Sequence, residues 1–387
     1  MFNFKPLKQI IEKIINRINE DPVKISGIFA GSGSSFANWF LTTPGSSNTL
    51  MQLDFPYSHG SVDELLGRVP DVYVTEQVAN EFANIAYLRA SRLVSADEEV
   101  IGIGCTSALI SDVPKKGEHR AYVSIRNKDE MLSVSLKLNK GFRDRISEED
   151  LVSRFILNEV DEFWFKSGND ILLSDLSAED EVCRKENKYY DAIKQLFETK
   201  QPFLIINQYG ELLDFPYYPT SIIPGSFNPL HTGHKQLAKL IGEMKGSTVD
   251  FEISIYNVDK DNMTMEDVNQ RILQFIGVGT IIISKSKTFV EKSTYFKGCS
   301  FVVGWDTAVR ILDAKYYNNN FKTGLAALDS IRKNRCEFIV VGRLDEFGNF
   351  RNAKDISIPD GYEDMFIMIE EEKFRSDISS TDFRIQN

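Results

Sequence analysis

The chain is short of several things, and each shortage excludes a class of protein. No uninterrupted apolar run in its 387 residues approaches the length of a bilayer span, so a membrane-crossing segment is not expected. Cysteine is scarce: Cys105, Cys183, Cys299 and Cys336 are widely spaced, and none forms a C-x-x-C pair. That argues against a structural zinc site or a disulfide framework and fits a reducing compartment. Positive charge is in deficit, with 45 Lys and Arg against 56 Asp and Glu and a formal net charge of −11. A protein that grips nucleic acid through a broad basic face would show the reverse balance. A local basic pocket for a nucleotide is still compatible with an acidic whole. A signal-peptide core is missing too. Leu7, Ile10, Ile11, Ile14, Ile15 and Ile18 are interrupted by Lys8, Glu12, Lys13 and Arg17, the pattern of an amphipathic helix; packing on its own domain is favoured over binding at a membrane surface. A cytoplasmic protein with neither membrane nor nucleic acid as partner is the expectation.

What is present is ordinary for a globular chain: 42% apolar and 26% charged residues, with length for two or three domains that each bury a core. In the first half, Lys24–Phe29 and Glu99–Ile103 read as buried strands. A Gly/Ser loop, a helix through Phe36–Leu41 and a longer helix capped by Thr75 lie between them. Ala121–Ile125 and Leu132–Leu138 alternate with period two and pair through a turn at Asn127–Asp129; a helix over about Glu148–Phe163 follows. Residues 166–217 read as a structured connector, with an acidic stretch at Ser174–Glu181, helical spacing at Tyr189–Phe197 and an apolar run at Phe203–Ile206. The second half is more regular. Apolar runs at Ile222–Ile223, Phe251–Ile255, Ile281–Ile283, Phe301–Val303, Phe338–Val341 and Phe366–Ile369 alternate with helical patterns such as Val268–Phe275, Thr307–Ala314 and Leu325–Ile331. That alternation implies a parallel sheet with both faces covered, whose ligands sit beyond the carboxyl ends of the strands.

The stretch Gly225-Ser-Phe-Asn-Pro-Leu-His-Thr-Gly-His234 follows the first of these runs and precedes a helical pattern at Leu237, Leu240, Ile241 and Met244. A helix start with free N–H groups favours anions, phosphate above all. His231 and His234, three apart, can face one ligand, and Gly233 between them keeps no side chain in the way. The blander alternatives are a cap or a metal pair. Other segments end strands on the same edge: Gly304-Trp-Asp306, Asn257-Val-Asp259-Lys260 and Gly342-Arg343. Asp306 could equally cap the helix that follows, and Asp259, Lys260 and Arg343 could be solvated turns. Near the end comes Ile378-Ser379-Ser380-Thr381-Asp-Phe-Arg384, hydroxyls followed by a guanidinium, again suited to phosphate or else a capped terminal turn.

Together, Gly225–His234 and Ile378–Arg384 resemble the paired HxGH and ISSTxxR motifs of the nucleotidyltransferase superfamily. The GSFNPxHxGH form is most similar to its adenylyltransferase branch, which includes nicotinamide/nicotinate mononucleotide and phosphopantetheine adenylyltransferases. The resemblance covers roughly residues 218–387. It implies that His231 and His234 are catalytic, holding the triphosphate and stabilising charge on the α-phosphate. It further implies that Gly225, Ser226, Phe227, Gly304, Asp306, Ser379, Ser380, Thr381 and Arg384 bind the nucleotide. Mg²⁺ would enter with ATP, bridging its phosphates, with no metal held by the protein itself. No cytidylyltransferase-type RTxGISTT stretch is present, which favours ATP over CTP. The family's full helix after the ISSTxxR arginine is a departure here, since the chain stops at Asn387; no clear Thr-Trp element of the nicotinamide mononucleotide enzymes is found either, so the acceptor stays open.

In the first half, Ser26-Gly-Ile-Phe-Ala-Gly-Ser-Gly-Ser-Ser-Phe36, Thr42-Thr-Pro-Gly-Ser-Ser47 and Phe55-Pro-Tyr-Ser58 supply turns that could bind an anion or could be plain turn chemistry. Their order resembles the CinA C-terminal family, whose active members deamidate nicotinamide mononucleotide, over about residues 7–165. In that family a GSS-type serine, a tyrosine and a lysine form the amidase centre. Ser46, Ser47 and Tyr57 mark the corresponding site here, and the family's GIAGP-type loop reads Gly102-Ile-Gly-Cys-Thr-Ser107, but the lysine position falls at Val62. Without that base the serine lacks activation, so a retained fold with lost or changed amidase activity is favoured.

The expectation is therefore an α/β protein of two domains: a CinA-like α/β domain over 1–165, a structured connector over 166–217, and a Rossmann-like parallel sheet with helices on both faces over 218–387. Its function would be transfer of AMP from ATP to a phosphorylated small molecule with release of pyrophosphate, nicotinate or nicotinamide mononucleotide being the leading acceptor. A non-catalytic nucleotide sensor and a bifunctional amidase–adenylyltransferase are the alternatives. A homo-oligomer is compatible with all three.

Overall fold

The computed structural model describes residues 4–95, 97–112, 116–168, 171–256, 262–317, 319–344, 350–369, 371–372 and 374. The chain divides into two compact units, Met1–Tyr190 and Asp191–Asn387.

The first unit runs α1 (Phe4–Glu20), β1 (Lys24–Ala30), α2 (Ser34–Thr42), β2 (Leu50–Asp54), α3 (His59–Leu66), α4 (Glu76–Ser91), β3 (Val100–Ala108), β4 (His119–Arg126), β5 (Glu130–Leu138), α5 (Arg145–Phe165) and β6 (Glu181–Lys188). Its sheet has the order β2-β1-β3-β4-β5-β6; β2, β1 and β3 are parallel, and β3 to β6 antiparallel. Helices α1, α2 and α5 cover one face. The apolar stripe of α1 (Ile11, Ile14, Ile15, Ile18) packs there against Phe36, Phe40, Phe155 and strand residues such as Val123 and Val134. Each such fully buried side chain contributes about 1.5–3 kcal/mol. On the other face α4 starts at Thr75, whose hydroxyl accepts the Val78 N–H, and packs Val78, Phe82 and Ala86 against Ile28 and Val62. The helix lies almost on the backbone of β3: a Cβ on Gly102 would come within 2.2 Å of the Ala83 carbonyl, and one on Gly104 within 2.1 Å of Ala79.

The second unit contains α6 (Tyr189–Glu198, which begins at the boundary), β7 (Phe203–Ile206), β8 (Ser221–Pro224), α7 (Thr232–Lys245), β9 (Val249–Ser254), α8 (Met265–Ile272), β10 (Ile281–Ser284), α9 (Phe289–Tyr295), β11 (Ser300–Gly304), α10 (Trp305–Leu312), α11 (Phe321–Lys333), β12 (Glu337–Val341), β13 (Arg343–Leu344), β14 (Phe350–Arg351) and β15 (Phe366–Ile369). The sheet order is β15-β12-β11-β8-β9-β10-β7. All neighbours are parallel except β7, which pairs antiparallel with β10 at the edge. Helices α9, α10 and α11 bury Phe296, Ala308, Ile311, Leu328 and Ile331 on one face, against Ile222, Phe301 and Phe338. On the other face Phe251 meets Phe227 and Phe275. This is the Rossmann-like sheet expected from the alternating runs. Strands β8 and β11 are adjacent, and the chain proceeds from them toward opposite edges, a topological switch point.

The stretch 166–217 does not stand as a separate body. Its β6 extends the first sheet by pairing with β5, and its β7 closes the edge of the second. Backbone pairing decides the assignment, and it leaves the unit boundary at the start of α6.

Candidate functional site

The site in the second unit is built where the switch-point rule puts it, at the carboxyl ends of β8 and β11. The chain leaves β8 at Pro224 and turns through Gly225–Leu230 before α7. Gly225 donates its N–H to the Glu252 carbonyl (2.9 Å). A Cβ there would stand 2.8 Å from Cζ of Phe227, so glycine lets the turn fold over its own aromatic residue. Phe227 is buried, with φ of 41°, and sits edge-on to His234, Phe251 and Phe275. The turn is held from below by residues that sequence reasoning passed over. Arg271 donates to the Ser226 carbonyl (2.6 Å). Gln274 accepts the Leu230 N–H (2.7 Å) and donates to the Phe227 carbonyl (3.2 Å).

His231 is the N-cap of α7, with extended backbone, and His234 lies one turn in. Their rings stack, centroids 3.7 Å apart at 27°. Gly233 is buried beneath them. The Nδ1 of His234 accepts the His231 N–H at 3.3 Å, so the capping alternative is realised in part, by one nitrogen. That bond leaves Nε2 as the ring's N–H donor, even in the neutral imidazole. Burial lowers the pKa of both rings. For His234, burial and then the neighbouring His231 bring it down from 6.5 to about 4. A site that desolvates two imidazoles at a helix N-terminus favours an incoming anion, which would restore their charge.

Across the switch point, Gly304 ends β11 and is itself the N-cap of α10, without a side-chain cap. Asp306 therefore does not cap that helix; it sits in its first turn, half-buried. A Cβ on Gly304 would approach Asp306 Oδ1 to 2.8 Å, so the glycine leaves the carboxylate room to fold back over the helix start. The structure thus places Gly225, Ser226, Phe227, His231, His234, Gly304 and Asp306 on neighbouring strand ends. Arg343 lies in β13, just past β12 on the same edge of the sheet, paired in register with Arg351. Ser379, Ser380, Thr381 and Arg384 lie outside the described residues, as do Asp259 and Lys260. Among the described residues no three His, Cys, Asp or Glu side chains gather as a metal cage, and no helix is long and apolar enough to cross a membrane.

In the first unit the three marked residues are dispersed in character. Ser46 is buried and its hydroxyl accepts from Asn19 (3.0 Å); Ser47 is exposed on a short turn; Tyr57 is 81% exposed on the rim of a cavity that neither serine lines. Val62, at the lysine position, is buried in the core beneath α4.

Comparison with known proteins adds to this geometry. Residues 222–386 match the family model described as Cytidylyltransferase-like. A curated protein of Schizosaccharomyces pombe, described as "Putative nicotinamide mononucleotide adenylyltransferase", is 31% identical over 144 residues. The match covers 34% of this chain and 55% of that protein, so the chain spans about half the length of this relative. Among solved structures, a CinA superfamily protein of Escherichia coli is 15% identical over 41% of this chain and 91% of its own, with a TM-score of 0.33. A competence/damage-inducible protein of Agrobacterium tumefaciens is 14% identical over 40% and 93%, with a TM-score of 0.32.

Proposed function

Taking the C-terminal half as a cytidylyltransferase-like domain, we propose that it transfers AMP from ATP to a phosphorylated small molecule and releases pyrophosphate. The observation that carries this is the stacked His231/His234 pair at the start of α7, after β8, with Gly304 and Asp306 at the end of the neighbouring strand β11. In this reaction an acceptor phosphate oxygen attacks the α-phosphorus, a new P–O–P bond forms, and the bond from the α-phosphorus to the bridging oxygen breaks. Pyrophosphate leaves with that bonding pair. No enzyme nucleophile is required; the work is positioning and electrostatic stabilisation. His231 and His234 would donate to the charge that grows on the α-phosphate, and the N-terminus of α7 would add its dipole. Gly225–Phe227 and Asp306 would hold the nucleoside, and Ser379–Arg384 the departing phosphates. Mg²⁺ would be held chiefly by phosphate oxygens.

ATP is favoured over CTP by the motif form, and nicotinate or nicotinamide mononucleotide is the leading acceptor. The Schizosaccharomyces pombe relative, a putative nicotinamide mononucleotide adenylyltransferase, supports that choice. With Mg-ATP and the mononucleotide, the protein should release pyrophosphate, and His231→Ala should lower kcat about 10²–10³-fold, the usual cost of losing one oxyanion donor. Release that survives unchanged in His231→Ala would remove the histidine pair from the mechanism. No release with any phosphorylated acceptor would sink the transfer reading.

A further inference from the structure

One buried charge in the first unit has no counter-charge among the described residues. Arg126, in β4, is 1% exposed and one of the largest side chains that the protein buries completely. A guanidinium cannot shed its proton in a protein, and a buried charge is costly unless it is paired. No carboxylate pairs with this one among the described residues, and its neighbours are neutral. Nη1 donates to Asn84 Oδ1 (2.7 Å) and to the Tyr189 hydroxyl (3.2 Å). Cζ stands 4.7 Å from the centroid of the Tyr189 ring and 5.6 Å from that of Tyr87. Nε and Nη2 are buried and have no hydrogen-bond partner. These two nitrogens share one edge of the planar group, the fork that grips an anion with two N–H bonds at once.

A third donor belongs to the same polar patch. Ser124 lies two residues before Arg126 on the same face of β4, and Ser133 faces it from β5. Both hydroxyls donate to Oδ1 of Asn80, and the Nδ2 of that amide is buried without a partner. Asn80 and Asn84 are four apart on α4, so one side of the helix supplies both amides. The orphaned groups are therefore N–H donors, and the charge among them is positive. A water molecule would bring two more hydrogens into a patch already short of acceptors. An anion brings only acceptance and the missing charge. Asn80, Asn84, Ser124, Ser133 and Tyr189 are all buried, so nothing that carries a nucleoside or a chain fits the fork. The class that suits it is a small monovalent anion. Register sets the patch apart from the Gly/Ser loop: Arg126 faces Gly102 on β3, whereas Ala30, beside the loop, faces Thr106 further along that strand.

We propose that the first unit binds a small monovalent anion, halide in size, on the Nε/Nη2 fork of Arg126 beneath α4. The site is independent of the nucleotidyl-transfer reading.

Bromide is the probe, on the full-length protein, exchanged at constant ionic strength for gluconate, which is too large to reach the fork. The Arg126 Nε–H resonance should shift and saturate as bromide replaces gluconate. Crystals grown in bromide should show its anomalous scattering in contact with both nitrogens. Bromide should also raise the unfolding midpoint saturably, and Arg126→Met, which removes the fork, should lose that rise. Should Arg126→Met fail to fold, Asn80→Asp places a carboxylate in the patch; the protein then holds its own anion, and the Nε–H resonance should stop responding to bromide. The proposal is overturned if the wild-type resonance ignores bromide, or if the crystals show an ordered water only on the fork, or bromide at other positions only. It also falls if a folded Arg126→Met keeps the wild-type bromide response, or if Asn80→Asp responds as the wild type does.

Discussion

At His234 the hydrogen bond to the backbone and the chemistry asked of the ring use different nitrogens. Nδ1 is committed to the His231 N–H, which fixes the ring and directs Nε2 away from the backbone. With its pKa near 4 the ring is neutral at pH 7. Between about pH 6.5 and 4 the unfolded chain takes up a proton that the folded one refuses, so this residue withdraws stability as the pH falls through that window. An anion at the helix start has the opposite effect and favours imidazolium. An NMR titration should therefore find His234 neutral down to about pH 4 in the free protein. Mg-ATP should shift the midpoint upward. A midpoint that ignores Mg-ATP would show that no phosphate sits beside this ring. The two histidines were legible as neighbours at one helix start because glycine, spacing and the helical pattern all point one way, and their rings stack there. The place of Asp306 was not, because an N-cap and a first-turn residue leave the same mark in sequence; it is Gly304 that takes the N-cap position.

The turn between β8 and α7 owes its shape to α8 and to the 3-10 turn Leu273–Phe275 that follows it. Gln274 satisfies two of its backbone groups and Arg271 a third. Gln274→Ala leaves the Leu230 N–H and the Phe227 carbonyl to find other partners, at about 1 kcal/mol each. A displaced turn moves both histidines, so kcat/KM for pyrophosphate release should fall about tenfold or more. A variant as fast as wild type in steady-state assays would mean the turn keeps its form without Gln274. Neither residue could have been singled out beforehand, since a polar side chain on an amphipathic helix ordinarily faces water. Strand β6 was hidden for a related reason: Glu181–Lys188 reads Glu-Val-Cys-Arg-Lys-Glu-Asn-Lys, an almost wholly polar edge strand with no apolar alternation. By contrast the inner parallel strands announced themselves, because strands buried on both faces are continuous apolar runs.

For the molecule as a whole, two sheets with separate cores predict two unfolding events rather than one. Calorimetry of the full chain should resolve two transitions, and Mg-ATP should raise only one, since a ligand stabilises the part it binds. A single transition, or a uniform rise, would mean the units unfold together. Sequence periodicity found the two sheets and read residues 166–217 as a connector between them; the two compact units divide at Tyr190 and Asp191, and β7 pairs into the second sheet.

That pairing gives β7 a role beyond membership of a sheet. It covers the outer edge of β10, an Ile-Ile-Ile-Ser strand buried at every position. A polypeptide trimmed to begin at residue 218 would keep the histidine turn yet bare that edge, an apolar row of unpaired N–H and C=O groups that other chains can extend. The short apolar run in what reads as a linker is thus a guard against aggregation, and solubility ends where β7 is removed.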